Sequence, residues 1–124
     1  MEMSKAVKRQ MNEVVGKGYE EALRRALQKL DADFDLWRKA KIDSFELTER
    51  IHKFHQNENR DIYNRFSYPP RMADRIAFRC LEEGLVKEED VPQEALAYLN
   101  QVRAGHQAYR ERTSPPSAGS SSSE

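Results

Sequence analysis

The residues best suited to chemistry lie in one stretch of this 124-residue chain, Glu49-x-x-His52-x-x-His55-x-x-Glu58. A carboxylate and an imidazole three residues apart share a helix face, which is how Glu-x-x-His supplies two ligands in di-iron helical bundles. Such centres also need a second Glu-x-x-His and two further glutamates. The chain has neither in recognisable form, although a homodimer would duplicate the motif across its axis. On a wheel of about 100° per residue, His52 aligns with Phe45 and Tyr63, and His55 falls between Phe54 and Ile62. That places the imidazoles among apolar neighbours, and the expectation is no metal site and no cofactor. If His52 and His55 are buried and neutral, acidification below about pH 6.5 destabilises the fold.

Nothing else in the chain offers a catalytic constellation. Glycine-rich phosphate loops, a nucleophile elbow and a His-Glu-x-x-His zinc motif are absent. Cys80 is the sole cysteine, so no disulfide forms within the chain. It falls on the apolar side of its segment, where a thiol behaves as a small hydrophobe. No residue is assigned a catalytic role. Three polar groups project from the main apolar stripe of their segment, His55, Glu58 and Arg65. Such groups need partners elsewhere, or a kink that exposes them.

The elements that carry these residues read as helices. Ser4 is a natural N-cap for a short helix bearing Val7, Gln10, Met11, Val14 and Val15, which Gly16-Lys17-Gly18 is expected to end or loosen. Tyr19, Leu23, Ala26, Leu27, Leu30, Phe34 and Trp37 form the clearest amphipathic stripe, predicting a long helix over Tyr19–Lys39. Asp43 or Ser44 caps the next helix, with Glu46 placed for a capping box. That helix is predicted over Ser44–Phe66, with a kink near Gln56–Arg60 where asparagines gather. Ser67-Tyr68-Pro69-Pro70 then forces a break. A fourth helix over Arg71–Glu83 ends on Gly84, and a last one starts at Pro92 and ends near Gly105.

The apolar inventory is thin. Leu, Ile, Val and Phe make up 24 of the 124 residues, and charged residues account for 34%. The 21 basic and 21 acidic side chains cancel, so net charge cannot hold the chain unfolded, nor can it capture polyanions globally. A helix-turn-helix reading of the last two helices fails on two counts. The connection from Gly84 to Val91 is too long, and the would-be recognition helix offers only Arg103 as a cation up to Ala104. Nucleic acid is therefore disfavoured as a ligand. The N-terminal MEMSKAVKRQMNEVV lacks an apolar signal core and no run is long enough to span a membrane, so a cytoplasmic location is expected. The stretch IDSFELTERIHKFHQNENRDIYNRF resembles segments of small helical bacterial proteins, a resemblance that carries over no catalytic residue.

These features predict an all-α fold, a small helical bundle. Its spine is a long antiparallel pair, Tyr19–Lys39 against Ser44–Phe66, with shorter helices covering it. Residues 1–112 form one domain and 113–124 a disordered Ser/Pro-rich tail. The expected function is a non-enzymatic protein-interaction or regulatory module, self-associating as a dimer or bound to a protein partner, with Phe45, His52 and Tyr63 at the contact. Two alternatives stand beside it. One is an antitoxin-type regulator touching DNA as a dimer, the other a metal-dependent helical enzyme built on the Glu49–Glu58 stretch.

Overall fold

A computed structural model describes residues 3–67 and 72–113 as helices joined by short turns, with no strand among them. None of these helices is long and apolar enough to cross a membrane. Helix α1 (Lys5–Arg38) opens at Ser4, whose Oγ accepts from Val7 N at 3.1 Å. It then passes through Gly16-Lys17-Gly18 without interruption, where the sequence predicts a break. The reason lies across the interface, in helix α4 (Ala73–Glu82). A Cβ built on Gly18 runs into Cys80 Sγ, and stands only 3.1 Å from Cys80 Cβ. Glycine costs about 1 kcal/mol in a helix interior, but here it is what lets the two helices approach, and the packing repays that cost. Gly16 meets nothing within 4 Å and has no such justification.

The core follows from this contact. Met11 and Val14 of α1, Ala77 and Cys80 of α4, and Ala95 and Leu99 of α5 (Gln93–Thr113) are buried together with Leu81, Val86 and Val91. The N-terminus of α5 is capped from far away in sequence. Gln10 Oε1 accepts from Ala95 N at 3.0 Å, while its Nε2 donates to Glu94 Oε1. At the other end of α4, Leu85 N donates to Cys80 O and Gly84 N to Leu81 O, with Gly84 at φ +75°. That pair of bonds is a full Schellman closure, as Gly84 led us to expect. Arg25 of α1 donates to Gly84 O at 3.0 Å and ties the turn back to α1.

The predicted antiparallel pair is present. Asp33 meets Arg50, Trp37 Nε1 donates to Ser44 Oγ, and Tyr19 stacks on Phe66 at 5.0 Å between ring centroids. Residue numbers rise along one member as they fall along the other. The pair buries little, however: Ala22, Ala26 and Leu47 are its buried apolar residues. The best-packed core lies instead where the N-terminal half of α1 meets α4 and α5.

The second member is also not one helix. It divides into α2 (Ser44–Lys53), a π-helical stretch (Phe54–Asn59) and α3 (Arg60–Phe66). Asp43 is its cap, accepting from Glu46 N at 2.8 Å, while the Glu46 carboxylate turns to Arg50. The last helix starts one residue later than predicted and runs through Gly105 to Thr113, taking the first residue of the predicted tail. Residues 114–124 and the break at Tyr68-Pro69-Pro70 lie outside the described residues.

Gly18→Ala should lower unfolding free energy by about 1–3 kcal/mol through overpacking, while Gly16→Ala should raise it by up to about 1 kcal/mol. Urea unfolding of both variants measures this, and equal effects would refute the packing account. Adding Cys80→Ala to Gly18→Ala should recover part of the loss, a non-additivity that a double-mutant cycle reads. At the end of α1, Ala40 occupies φ +58° in a Schellman turn closed by Lys41 N to Leu36 O at 2.8 Å. Ala40→Gly should therefore stabilise by several tenths to about 1 kcal/mol, seen as a raised urea midpoint at unchanged slope.

Candidate functional site

The Glu49–Glu58 stretch does not assemble into a centre. Glu49 and His52 stand on α2, His55 and Glu58 on the π-helical stretch, and all four are exposed. Among the described residues no group of three or more His, Cys, Asp or Glu side chains is placed to hold a metal ion. Both imidazoles being exposed, the condition for an acid-sensitive fold through His52 and His55 is not met. Arg65 finds a partner on another helix. Its Nη2 lies 2.6 Å from Glu83 Oε1 at the end of α4, and its guanidinium carbon sits 5.7 Å from the Phe66 ring centroid. Glu58 is exposed and lines a shallow hollow of about 260 Å³ with Lys29 and Lys53.

The π-helical stretch decides where everything after it points. One residue more than an α-helix uses turns the chain beyond it by about 100°. Burial records the shift. Leu47, Arg50 and Phe54 face inward up to its first residue, and Asn59, Ile62 and Phe66 from its last residue onward. The step from Phe54 to Asn59 is five residues instead of three or four. The straight wheel that aligned Phe45, His52 and Tyr63 therefore holds only for the first two. Tyr63 is carried toward the line of Ile51. Phe45 is 87% exposed and Tyr63 58%.

These two belong to a wider pattern. None of the aromatic rings among the described residues is buried, and the largest fully buried side chain is Met11. Five of the buried apolar residues are alanines: Ala22, Ala26, Ala73, Ala77 and Ala95. Small side chains fill the interior and large ones remain outside or at its edge. The α1 stripe shows this best. Leu23, Leu30 and Phe34 are half-buried and Leu27 is half exposed; Leu23 and Leu27 lie in a shallow groove flanked by Glu20, Arg24 and Asp31. The amphipathic spacing revealed the stripe, but could not show that only one flank would be covered.

One feature escaped the sequence reading, a trough of about 540 Å³ between α4 and α5. Its floor is apolar, from Ile76, Phe78 and Val102, and Arg75 and Arg79 stand on its rim. Arginines one helical turn apart with no acid four residues ahead of either were the available signal.

Cys80 is buried in the core, against Gly18. Burial pushes its thiol from the ordinary 9.0 up to about 11, with nearby Arg65 pulling the other way and Glu83 adding to the rise. A thiol that holds its proton more tightly when folded favours the folded state while protonated. As pH rises past 9.0 the unfolded chain ionises first, so this contribution is lost between pH 9 and about 11. The full loss amounts to about 2–3 kcal/mol. Stability of the wild type should fall faster than that of Cys80→Ala across this interval, measured by urea unfolding at each pH; parallel curves would contradict the assignment.

Comparison of the chain with protein-family models, with curated proteins and with solved structures finds no match.

Proposed function

We propose that the protein is a non-enzymatic interaction module that completes itself by covering its exposed large apolar side chains, as a homodimer or against a protein partner. The observation that carries this reading is the inversion of side-chain size. Alanine, valine and cysteine dominate the core, while Leu27, Trp37, Phe45, Tyr63 and Tyr109 keep 40–61% of their surface, Phe45 more, in solvent. Scattered exposed apolar residues are ordinary, but on α1 exposed Leu27 and Trp37 continue a half-buried line of Leu23, Leu30 and Phe34. On α1 half-buried Leu23 and half-exposed Leu27 are bordered by acids and a base, Glu20, Asp31 and Arg24. An antiparallel second copy about a two-fold axis near Leu27 sets Arg24 of each chain near Asp31 of the other, the self-complementarity an isologous contact needs.

The buried, protonated thiol and the dispersed Glu49–Glu58 side chains give the enzyme reading no geometric support. The antitoxin-type reading gains nothing specific either, since the last helix keeps Arg103 engaged with Glu82 at 2.9 Å and Glu88 at 3.4 Å.

Sedimentation equilibrium at increasing protein concentration tests the proposal. The average mass should rise toward that of a dimer, and Leu27→Glu should shift the association at least tenfold without lowering the melting temperature. A monomer at several hundred micromolar, together with unaltered partner capture by Phe45→Ala and Tyr63→Ala variants, would overturn it.

A further inference from the structure

The trough between α4 and α5 lies on different elements from the α1 stripe and carries a different chemistry. Ile76 and Phe78 of α4 and Val102 of α5 line it, and the His106 ring lies 5.2 Å from that of Phe78. Arg75 and Arg79 border it, and neither makes an ion pair among the described residues, unlike Arg24, Arg25, Arg50, Arg65 and Arg103. The reason Arg79 is left over is local. The two acids within reach on its own helix are engaged elsewhere, Glu82 by Arg103 and Glu83 by Arg65. Asp74, beside Arg75, turns its Oδ1 to the backbone N of Arg75 at 3.0 Å. Asp74 also lines the trough, so two guanidinium groups one turn apart overlook the apolar floor against a single carboxylate, an excess of positive charge.

The second observation is the overhang of α5. Its buried residues end at Leu99, and residues 104–113 are all exposed. Three turns of helix standing alone are marginal in water. Val102, His106 and Tyr109 follow one another at i, i+4 and i+7, so the apolar line of the trough continues up the overhang. Packing between helices is satisfied by a third helix laid into the groove of two others, spaced about 8–10 Å from each.

We infer that the α4–α5 trough receives an acidic amphipathic helix from a protein partner, its apolar face on Ile76, Phe78 and Val102 and its carboxylates on Arg75 and Arg79. This names a site and a partner chemistry within the interaction-module reading, but not the α1 contact. Guanidinium groups bind carboxylates with two parallel hydrogen bonds, which favours glutamate over a neutral side chain. The helix-in-groove mode reads its ligand at i, i+3, i+4 and i+7, the spacing that the trough and the overhang together present.

The test uses the full chain and two fluorescent peptides of about 18 residues with the same leucine stripe, one flanked by glutamates and the other by lysines. Anisotropy should show the glutamate peptide binding at least tenfold more tightly than the lysine peptide, with the difference shrinking as salt is raised. An Arg75→Glu, Arg79→Glu double variant of unchanged melting temperature should reverse the preference, and Leu27→Glu should leave it intact. Equal affinity for both peptides, wild-type affinity in the double variant, or no binding at millimolar peptide would each overturn the proposal. Displacement of the glutamate peptide by phosphatidylglycerol vesicles, dependent on the two arginines, would overturn it in favour of a membrane surface. The α1 contact is read separately by sedimentation, so the two can fail independently.

Discussion

The approach of Gly18 to Cys80 sets the geometry of the molecule. Helix backbones come this near only where one of them has no side chain, and Gly18 supplies that position in the first helix while the thiol of Cys80 fills it from the fourth. With the two helices locked there, Phe66 also comes within reach of Gly18, at 3.5 Å from its would-be Cβ. The stack of Phe66 on Tyr19 then draws the α3 end of the antiparallel pair onto the same point. The Schellman turn at Gly84 is fastened to α1 by Arg25, and α5 is fastened by Gln10 and by Lys17 Nζ, which donates to Asp90 O at 2.7 Å. A single run of α1 residues, 10–25, therefore touches α3, α4, the turn at Gly84 and α5. The remaining half of α1 has only the α2–α3 arm beside it, and that asymmetry leaves its apolar stripe partly open.

The π-helical stretch is the second constraint, and it acts on direction instead of distance. The arm must present Leu47 and Phe54 to α1 at one end and Ile62 and Phe66 at the other. A uniform α-helix carrying these residues cannot face both sets inward, because five positions separate Phe54 from Asn59 on the inner side. An inserted residue solves the problem at the cost of poorer hydrogen-bond geometry. It also exposes Glu58 on the surface and brings Arg65 to Glu83. Those two polar interruptions of the stripe are consequences of one phase change.

Much of this was legible in the chain. Caps are short-range chemistry, so Ser4, Asp43 and Gly84 declared themselves, and the stripe from Tyr19 to Trp37 announced a long helix. The kink was legible as a weakness at the asparagines, though not as a change of winding, because spacing read at one fixed period cannot register a residue too many. Gly16-Lys17-Gly18 misled for a related reason. Local propensity weighs both glycines alike, while tertiary contact distinguishes them: one faces solvent and the other faces Cys80. The end of α5 was misjudged in the same way, with Gly105 exposed and meeting nothing within 4 Å. Of the contact residues named from sequence, Phe45 and His52 stand on one line and Tyr63 does not, which again is the π stretch at work. The α4–α5 trough was invisible because its walls, Ile76–Arg79 and Val102–His106, are 23 to 30 positions apart in the chain, and no periodic signal spans two helices.

Zero net charge also means something different once the ion pairs are placed. Exposed pairs contribute little to stability, about 0–1 kcal/mol each, but they determine which charges remain available. Arg50 takes Asp33 and Glu46, Arg65 takes Glu83, and Arg103 takes Glu82 and Glu88. Each of these joins two elements or braces one, and each removes an acid from its neighbours' reach. The pairing is densest around the C-terminal end of α4, where the acids Glu82 and Glu83 lie. It leaves Arg79 and Arg75, one and two turns back along the same helix, without an ion pair among the described residues. A chain with equal numbers of acids and bases thus presents a local cationic rim, because the acids that would neutralise it are spent holding α3 and α5 in place. Balance in composition and imbalance at a particular surface have the same origin in the packing of α3, α4 and α5.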